Sequence, residues 1–322
     1  MSAAPLQLAF LVDPLATLKP AKDSSIAMMR QAAARGHGVH AIQRNGLIWR
    51  EGVVSAQATR LELSGDARWY VEHECQRLPL THFDALILRQ DPPFDFEYIT
   101  ATWLLERAEE QGVRIFNRPR AIRDHNEKIA ITEFPRFTSP TLVARMAADI
   151  DAFIDAQEDV ILKPLDGMGG SSIFRVRRQD PNRNVIIETL TAQGTRSIMA
   201  QRYLPQIAVG DKRILLIDGV PVPYCLARIP KAGESRGNLA AGGKGVARPL
   251  LGRDREIAEA LAPTLWTRGL LIVGLDVIGD CLTEVNVTSP TCFVEIAQQT
   301  RFDVAAMLVD ALERECGEPS GS

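Results

Sequence analysis

The chain is poor in the residues that metal-thiolate or disulfide chemistry needs. Its five cysteines, Cys75, Cys225, Cys281, Cys292 and Cys316, are scattered, odd in number and form no CxxC pair. That excludes a disulfide framework and a zinc-type site, and leaves reduced thiols as expected in the cytoplasm. The five histidines are equally scattered and show no metal-type spacing. No apolar run approaches the length of a membrane span. The opening residues, MSAAPLQLAFLVDP, lack the basic region and cleavage site of a signal peptide. A formal net charge of −3, with both signs interspersed, provides no electrostatic reason for a nucleic-acid or membrane partner. Internal repeats and low-complexity tracts are missing, and so is a Walker-type phosphate loop.

Against that background two short segments stand out, LKPLDGMGGSSIF (162–174) and LTEVNVTSPT (282–291). The first places Lys163 at the end of an apolar strand, followed by Gly167, Gly169, Gly170 and Ser171. Without Cβ atoms, backbone N–H groups in such a loop can approach phosphates closely. The second places Glu284 and Asn286 two apart in a predicted strand, so that both side chains share a face. Asp276 lies on the other arm of the same predicted hairpin. Three hard oxygen donors so arranged suit Mg²⁺, which completes its shell with phosphates. A phosphate cradle beside a magnesium clip points to ATP chemistry. Any one of the three also fits ordinary polar-out alternation.

Elements alternate in the first third of the chain: strand 6–12, a helix capped by Ser24 or Ser25, strand 39–42, strand 83–89, helix 98–111 and strand 113–117. This predicts a parallel sheet with ligand sites at the carboxyl ends of its strands, where Asp13, Arg89 with Asp91, and Asn117 fall. Residues 45–80 carry no clear pattern. The pattern changes near 124, where Asp124 can cap a short helix to about 134. Helix 147–157, strand 159–164, strand 172–176, helix 184–193 and strand 197–204 come next. Two hairpins then turn at Asp218-Gly219 and Gly279-Asp280, the mark of an antiparallel α+β part. A boundary is expected around 120–128.

Several other residues carry candidate chemistry. Lys128 by itself carries little; two lysines near a triphosphate act as point charges. The segment 228–245 is rich in glycine and cations, including Arg228, Arg236 and Lys244, and reads as a lid or, less interestingly, as a surface linker. Pro290 and Thr291 can begin a helix whose N-terminus holds a substrate carboxylate, or merely cap it. Arg89, beside a rigid Pro-Pro turn, suits bidentate carboxylate binding or an ordinary salt bridge.

From about residue 6 to about 312 the chain resembles the ATP-grasp superfamily, and within it the bacterial-type glutathione synthetase family. The resemblance rests on VDPLATLKPAKDSS (12–25), LRQDPPFD (88–95), RDHNEK (123–128), ILKPLDGMGGSSIFRV (161–176), GDKRILLIDGVPVPYCLARIP (210–230), RGNLAAGGKG (236–245) and GLDVIGDCLTEVNVTSPT (274–291), in that order. It implies an α/β plus α+β fold: an N-terminal parallel-sheet (pre-ATP-grasp) domain followed by a two-lobed ATP-grasp fold. The divisions are 1–123, a small lobe over 124–202, a C-terminal lobe over 203–316 and a disordered tail, 317–322. The implied reaction joins γ-glutamylcysteine and glycine at the expense of ATP, through an acyl phosphate, to give glutathione, ADP and phosphate.

The same resemblance assigns roles. Lys128 and Lys163 meet the ATP phosphates, beneath the loop of Gly167, Gly169, Gly170 and Ser171. Gln201, Arg202, Tyr203 and Leu204 line the adenine, and Asp211 shapes that site. Asp276, Glu284 and Asn286 carry Mg²⁺ or Mn²⁺. Arg89, Asn286 and Ser289, with Pro290 and Thr291, meet the dipeptide. Arg213, Arg228 and Arg236 stabilise the acyl phosphate and the transition state, and the 228–245 loop closes over them. A homo-oligomer, dimer or tetramer, is implied as well. The competing readings are another ATP-grasp ligase (a D-alanine–D-alanine ligase or an amino-acid-to-protein ligase), an ATP-grasp phosphotransferase, and a non-catalytic nucleotide binder.

Overall fold

A computed structural model describes residues 4–65, 68–167, 169–231, 237, 239 and 242–317. The first sheet grows from short strands dominated by apolar, mostly buried residues. These are β1 (Gln7–Leu11), β2 (Gly38–Ile42), β6 (Ala85–Leu88) and β7 (Arg114–Phe116). They pair in parallel in the order β2-β1-β6-β7. Helices α1 (Ser24–Ala34) and α2 (Phe96–Glu110) are part of the same domain. Asp23, rather than Ser24 or Ser25, caps α1: its Oδ1 accepts from the Ser25 and Ile26 amides at 2.8 and 3.1 Å. The two serines are buried instead.

Residues 45–80, unreadable in sequence, add β3 (Ile48–Arg50), β4 (Val53–Leu63) and β5 (Tyr70–Pro79). They pair antiparallel, and β4 joins them to β2. The sheet is therefore mixed, not purely parallel. The whole of β5 is largely exposed, so it offers no apolar face for a pattern search to find. Helix α3 (Pro119–Arg123) ends this domain, and Asp124 is its C-cap, not the N-cap of a later helix. Beyond it lies a 3₁₀ turn, Ile129–Glu133, opened by Asn126, whose Oδ1 accepts from the amides of Lys128 and Ile129.

The small lobe is a four-stranded antiparallel sheet in the order β10-β9-β11-β8. Its strands are β8 (Thr141–Ala144), β9 (Asp159–Pro164), β10 (Phe174–Arg177) and β11 (Ile198–Arg202). Helices α4 (Ala147–Gln157) and α5 (Arg183–Leu190) close its core. The last sheet runs β14-β13-β12-β15-β16, all antiparallel. These strands are β12 (Asp211–Ile217), β13 (Val220–Ile229), β14 (Lys244–Pro249), β15 (Ile272–Ile278) and β16 (Cys281–Asn286). Strand alternation divides its apolar residues between two cores. Ile214, Leu216, Val273 and Leu275 join α6 (Gly252–Thr267). Leu215, Ile217 and Ile272 join α1, α7 (Phe293–Thr300) and α8 (Val304–Gly317). Residues 318–322 of the expected tail lie outside the described residues.

Asn117, at the end of β7, ties the first sheet to the last. Its Nδ2 donates to the carbonyls of Ile272 and Val287 at 2.7 and 2.8 Å, and its Oδ1 accepts from the Ile272 amide at 2.8 Å. No described helix is long and apolar enough to cross a membrane.

His125, buried between these parts, is held far below its ordinary range, at about 4, by burial first and then by Arg268, against the opposing pull of Glu133. The unfolded chain takes up this proton near 6.5, whereas the folded chain refuses it down to about 4. Stability is therefore lost as the pH falls through that window, by at most about 1.4 kcal/mol per pH unit. Denaturant melts of a His125→Gln variant should show a shallower loss over this window than the parent. Equal slopes would place the pH dependence elsewhere.

Candidate active site

The polar ends of the C-terminal strands build the floor. In β12 the apolar alternation begins at Ile214, leaving Asp211 and Arg213 on the face continued by Leu215 and Ile217. The strand register sets Asp211 opposite Arg228 of β13, Arg213 opposite Asp276 of β15, and Asp276 opposite Glu284 of β16. Gly274 stands opposite Asn286. Antiparallel pairing thus collects six polar side chains on one face.

These groups are largely buried. Arg213 grips Asp276 with two bonds, Nε to Oδ1 at 2.6 Å and Nη2 to Oδ2 at 3.0 Å. Arg228 Nη2 lies 2.9 Å from Asp276 Oδ2 and 2.5 Å from Asp211 Oδ2. Burial pushes the Asp276 carboxyl upward, but the two guanidinium groups outweigh it and hold the acid well below the usual carboxylate range. Asp211 goes the other way, to about 6, because burial and the nearby Asp276 charge exceed the pull of Arg228. Its Oδ1 is buried without a partner among the described residues.

Two lysines converge on the same floor. Lys128 Nζ donates to the Gly167 carbonyl at 2.6 Å and lies 3.3 Å from Glu284 Oε1. Lys163 Nζ, from the end of β9, donates to the Thr283 carbonyl at 3.2 Å and lies 3.8 Å from the same Glu284 oxygen. Both lysines are only 5% exposed. Burial pushes the Lys163 ammonium down, and Glu284 opposes it. Gly169 and Gly170 in the loop above take positive φ values of 64° and 77°, where a side chain is strained.

The cleft holds about 540 Å³. Its walls include Lys128, Lys163, Gly167, Gly169, Gly170 and Ser171, the segment Gln201 to Leu204, and Asp211. Arg213, Arg228, Asp276, Glu284, Asn286 and Ser289 to Thr291 line it as well. Gln201 is buried and donates to Thr141 Oγ1 at 3.1 Å. Tyr203 is capped by the Arg175 guanidinium 3.5 Å from its ring centre, and Arg175 is itself fixed by two bonds to Asp159.

Three expectations change. Arg89 does not line the cleft: it is 4% exposed and reaches the wall through a 2.8 Å bond from Nη2 to the Pro290 carbonyl, with Nε donating to Ser25 Oγ. Its Nη1 has no partner among the described residues. Pro290 and Thr291 do not start a helix; α7 begins at Phe293, after Cys292 in the left-handed region. The 228–245 segment is not all loop, because Arg228 pairs with Gly245 and Ile229 with Lys244 in the sheet. Arg236, with residues 232–235, 238, 240 and 241, lies outside the described residues.

Asp276, Glu284 and Asn286 fit a hard divalent cation. They present two carboxylates and an amide on adjacent register positions, and Glu284 lies against Lys128 and Lys163. No group of three His, Cys, Asp or Glu assembles among the described residues. Mg²⁺ takes one or two carboxylates and leaves other positions to phosphate and water.

Two family models cover most of the chain. The N-terminal domain of prokaryotic glutathione synthetase matches residues 6–123, and the ATP-grasp domain of the same enzymes matches 127–301. The chain belongs to the prokaryotic glutathione synthetase family. Glutathione synthetase of Ralstonia nicotianae is 60% identical over 317 residues, 98% of each chain. That of Nitrosomonas europaea is 59% identical over 313 residues, 96% of this chain and 98% of its own. Among solved structures, D-cycloserine synthetase DcsG superimposes with a TM-score of 0.68 at 17% identity, over 96% of this chain and 99% of its own. The ATP-grasp ligase PsnB gives 0.61 at 17% identity, over 97% and 98%. At such identities these two establish the fold alone.

Sequence reasoning singled out neither Glu127 nor Gly237, both in the cleft wall, although they fall within the segments 123–128 and 236–245 that carry the family resemblance. No spacing rule marks either one; the contacts that define them are long-range. A Cβ on Gly237 would sit 2.6 Å from the Arg228 carbonyl and 2.9 Å from Asp211 Cβ, so the chain passes directly over the Asp211–Arg228 pair. A backbone carbonyl cannot swing aside as a flexible side chain would. Gly237→Ala should therefore lower turnover about tenfold to a hundredfold through displacement of this floor. Steady-state rates on a variant with unchanged melting temperature check it, and parental turnover would show that the crossing is loose.

Proposed function

We propose how these residues divide the work of ATP-dependent glutathione synthesis, the activity that family membership assigns to this chain. The observation that carries the proposal is the convergence of Lys128 and Lys163 on Glu284 Oε1, beside a carboxylate gripped by two arginines. Such a floor has cations for a triphosphate and carboxylates for its metal. The family uses ATP with a divalent metal, and we assign Mg²⁺ to Asp276, Glu284 and Asn286. A metal so held offsets phosphate charge and orients the γ-phosphate.

Lys128 and Lys163 hold the phosphates, and the loop of Gly167, Gly169, Gly170 and Ser171 covers them. The side of the cleft from Gln201 to Leu204 receives the adenine. The cysteinyl carboxylate of γ-glutamylcysteine attacks the γ-phosphate, so that a C–O–P link forms as ADP leaves. Glycine's amine then attacks the carbonyl carbon, loses a proton, and expels phosphate as the amide forms. Arg213 and Arg228 stand ready to balance the charge that develops on phosphoryl and carbonyl oxygens. Both are already fixed by Asp276 and Asp211, so little reorganisation is needed at the moment of reaction. Arg89 acts on the dipeptide site through Pro290. We place the reaction in the cytoplasm, in keeping with free thiols at all five cysteines.

Glu284→Gln keeps the size of the side chain and removes a charge shared by two lysines and the proposed metal. It should lower kcat by at least about tenfold. It should also raise the Mg²⁺ concentration needed for half-maximal rate, measured by coupled ADP release. An unchanged Mg²⁺ requirement would remove Glu284 from the metal site. Leaving out glycine in the same assay should reduce ADP release to a slow leak that depends on γ-glutamylcysteine; an equal leak without the dipeptide would contradict the acyl-phosphate route.

A further inference from the structure

The turn after β16 carries Asn286 on one side and Ser289 on the other, and almost nothing within the turn holds its shape. Its polar groups are held from elsewhere. The Val287 carbonyl accepts from Asn117 Nδ2. Ser289 Oγ donates to Asp91, and the Pro290 carbonyl accepts from Arg89. The amides of Val287 and Thr288 and the Thr288 hydroxyl all donate to one oxygen, Glu127 Oε1, at 2.8, 3.0 and 2.9 Å. Glu127 also accepts the Val285 amide on its own backbone carbonyl at 2.9 Å. Three donors on a single carboxylate oxygen form charge-assisted bonds, which are the stronger class.

The neighbouring residues extend the link. Lys128 reaches the Gly167 carbonyl and Glu284, and Asn126 Nδ2 donates to the Leu165 carbonyl at 3.2 Å. Three consecutive residues thus grip the glycine loop, the metal carboxylate and the acceptor turn. We propose that Glu127 is a positioning residue, holding the 286–289 turn in register with the phosphate-binding lysine beside it. The dipeptide carboxylate must meet the γ-phosphate in line, and Glu127 sets the distance between the two half-sites. The inference rests on the assignment of the 286–291 turn to the dipeptide.

Glu127→Gln keeps an acceptor oxygen in place without the charge, and Glu127→Ala removes it. With the full-length enzyme, we expect Glu127→Ala to raise the KM for γ-glutamylcysteine at least about tenfold. The KM for ATP should move by less than about threefold. ADP should be released in excess of glutathione, because a misplaced intermediate is lost to water. Glu127→Gln should fall between Glu127→Ala and the parent on all three measures. Thr288→Val, which removes one of the three donors, should shift the same KM in the same direction. Its effect should not add to that of Glu127→Ala, since both touch one contact. If Glu127→Ala does not fold, the ordering of Glu127→Gln and Thr288→Val still decides. Equal rises in both KM values, or a pure loss of kcat with full coupling of ADP to glutathione, would overturn the proposal. A parent enzyme that released ADP with γ-glutamylcysteine yet formed no glutathione would instead count against the reaction assigned above.

Discussion

The carboxylate of Asp276, held between Arg213 and Arg228, sets the geometry of the whole site. Two guanidinium groups in one protein interior repel each other unless an anion stands between them. Asp276 supplies it, and Asp211 takes the remaining bond of Arg228. Removing one partner from such a buried group typically costs about 3–5 kcal/mol, because a bare charge is left behind. The network is therefore rigid as well as charged. The strands carrying it cannot slip by a residue without turning these charges into the apolar cores on the opposite face. The geometry of the cleft floor and the strand register thus have the same origin.

A second constraint arises from where the 286–291 turn sits. It is not stiffened by its own sequence but by Asn117, Glu127, Asp91 and Arg89, three of which lie at or next to the ends of N-terminal strands. The N-terminal domain therefore shapes the site at second hand. Its parallel strands end together, and the residues just past those ends reach the C-terminal lobe. Arg89 illustrates this well. Its placement at a strand terminus suggested direct contact with a carboxylate; in the structure Nε and Nη2 bind Ser25 and the Pro290 carbonyl, and Nη1 has no partner among the described residues.

Much of the fold was readable where burial is one-sided or complete. Strand Asp159–Pro164 and helix Ala147–Gln157 were placed to the residue, and both hairpin turns were found, because apolar runs broken by Asp-Gly or Gly-Asp have few alternatives. The long β4–β5 pair was not readable. Its outer strand is exposed on both faces, so alternation carries no signal there. The helix expected from Asp124 failed for a related reason. Asp124 does end a helix, but the cap residue type alone does not say which end.

The sequence by itself determined the chemistry on offer: a glycine loop after a buried lysine, carboxylate and amide two apart on a strand, and the strings that identify the family. These are local, since each depends on neighbours within a few positions. Only the tertiary structure decided the pairings. Asp276 with two arginines, two lysines on one Glu284 oxygen, Gly237 against the Arg228 carbonyl, and Glu127 under the 287–288 amides all join residues far apart in the chain. Spacing along the chain holds no information about such contacts. They arise when packing two apolar faces brings the polar ends of several strands to one edge, where each buried charge must find its partner.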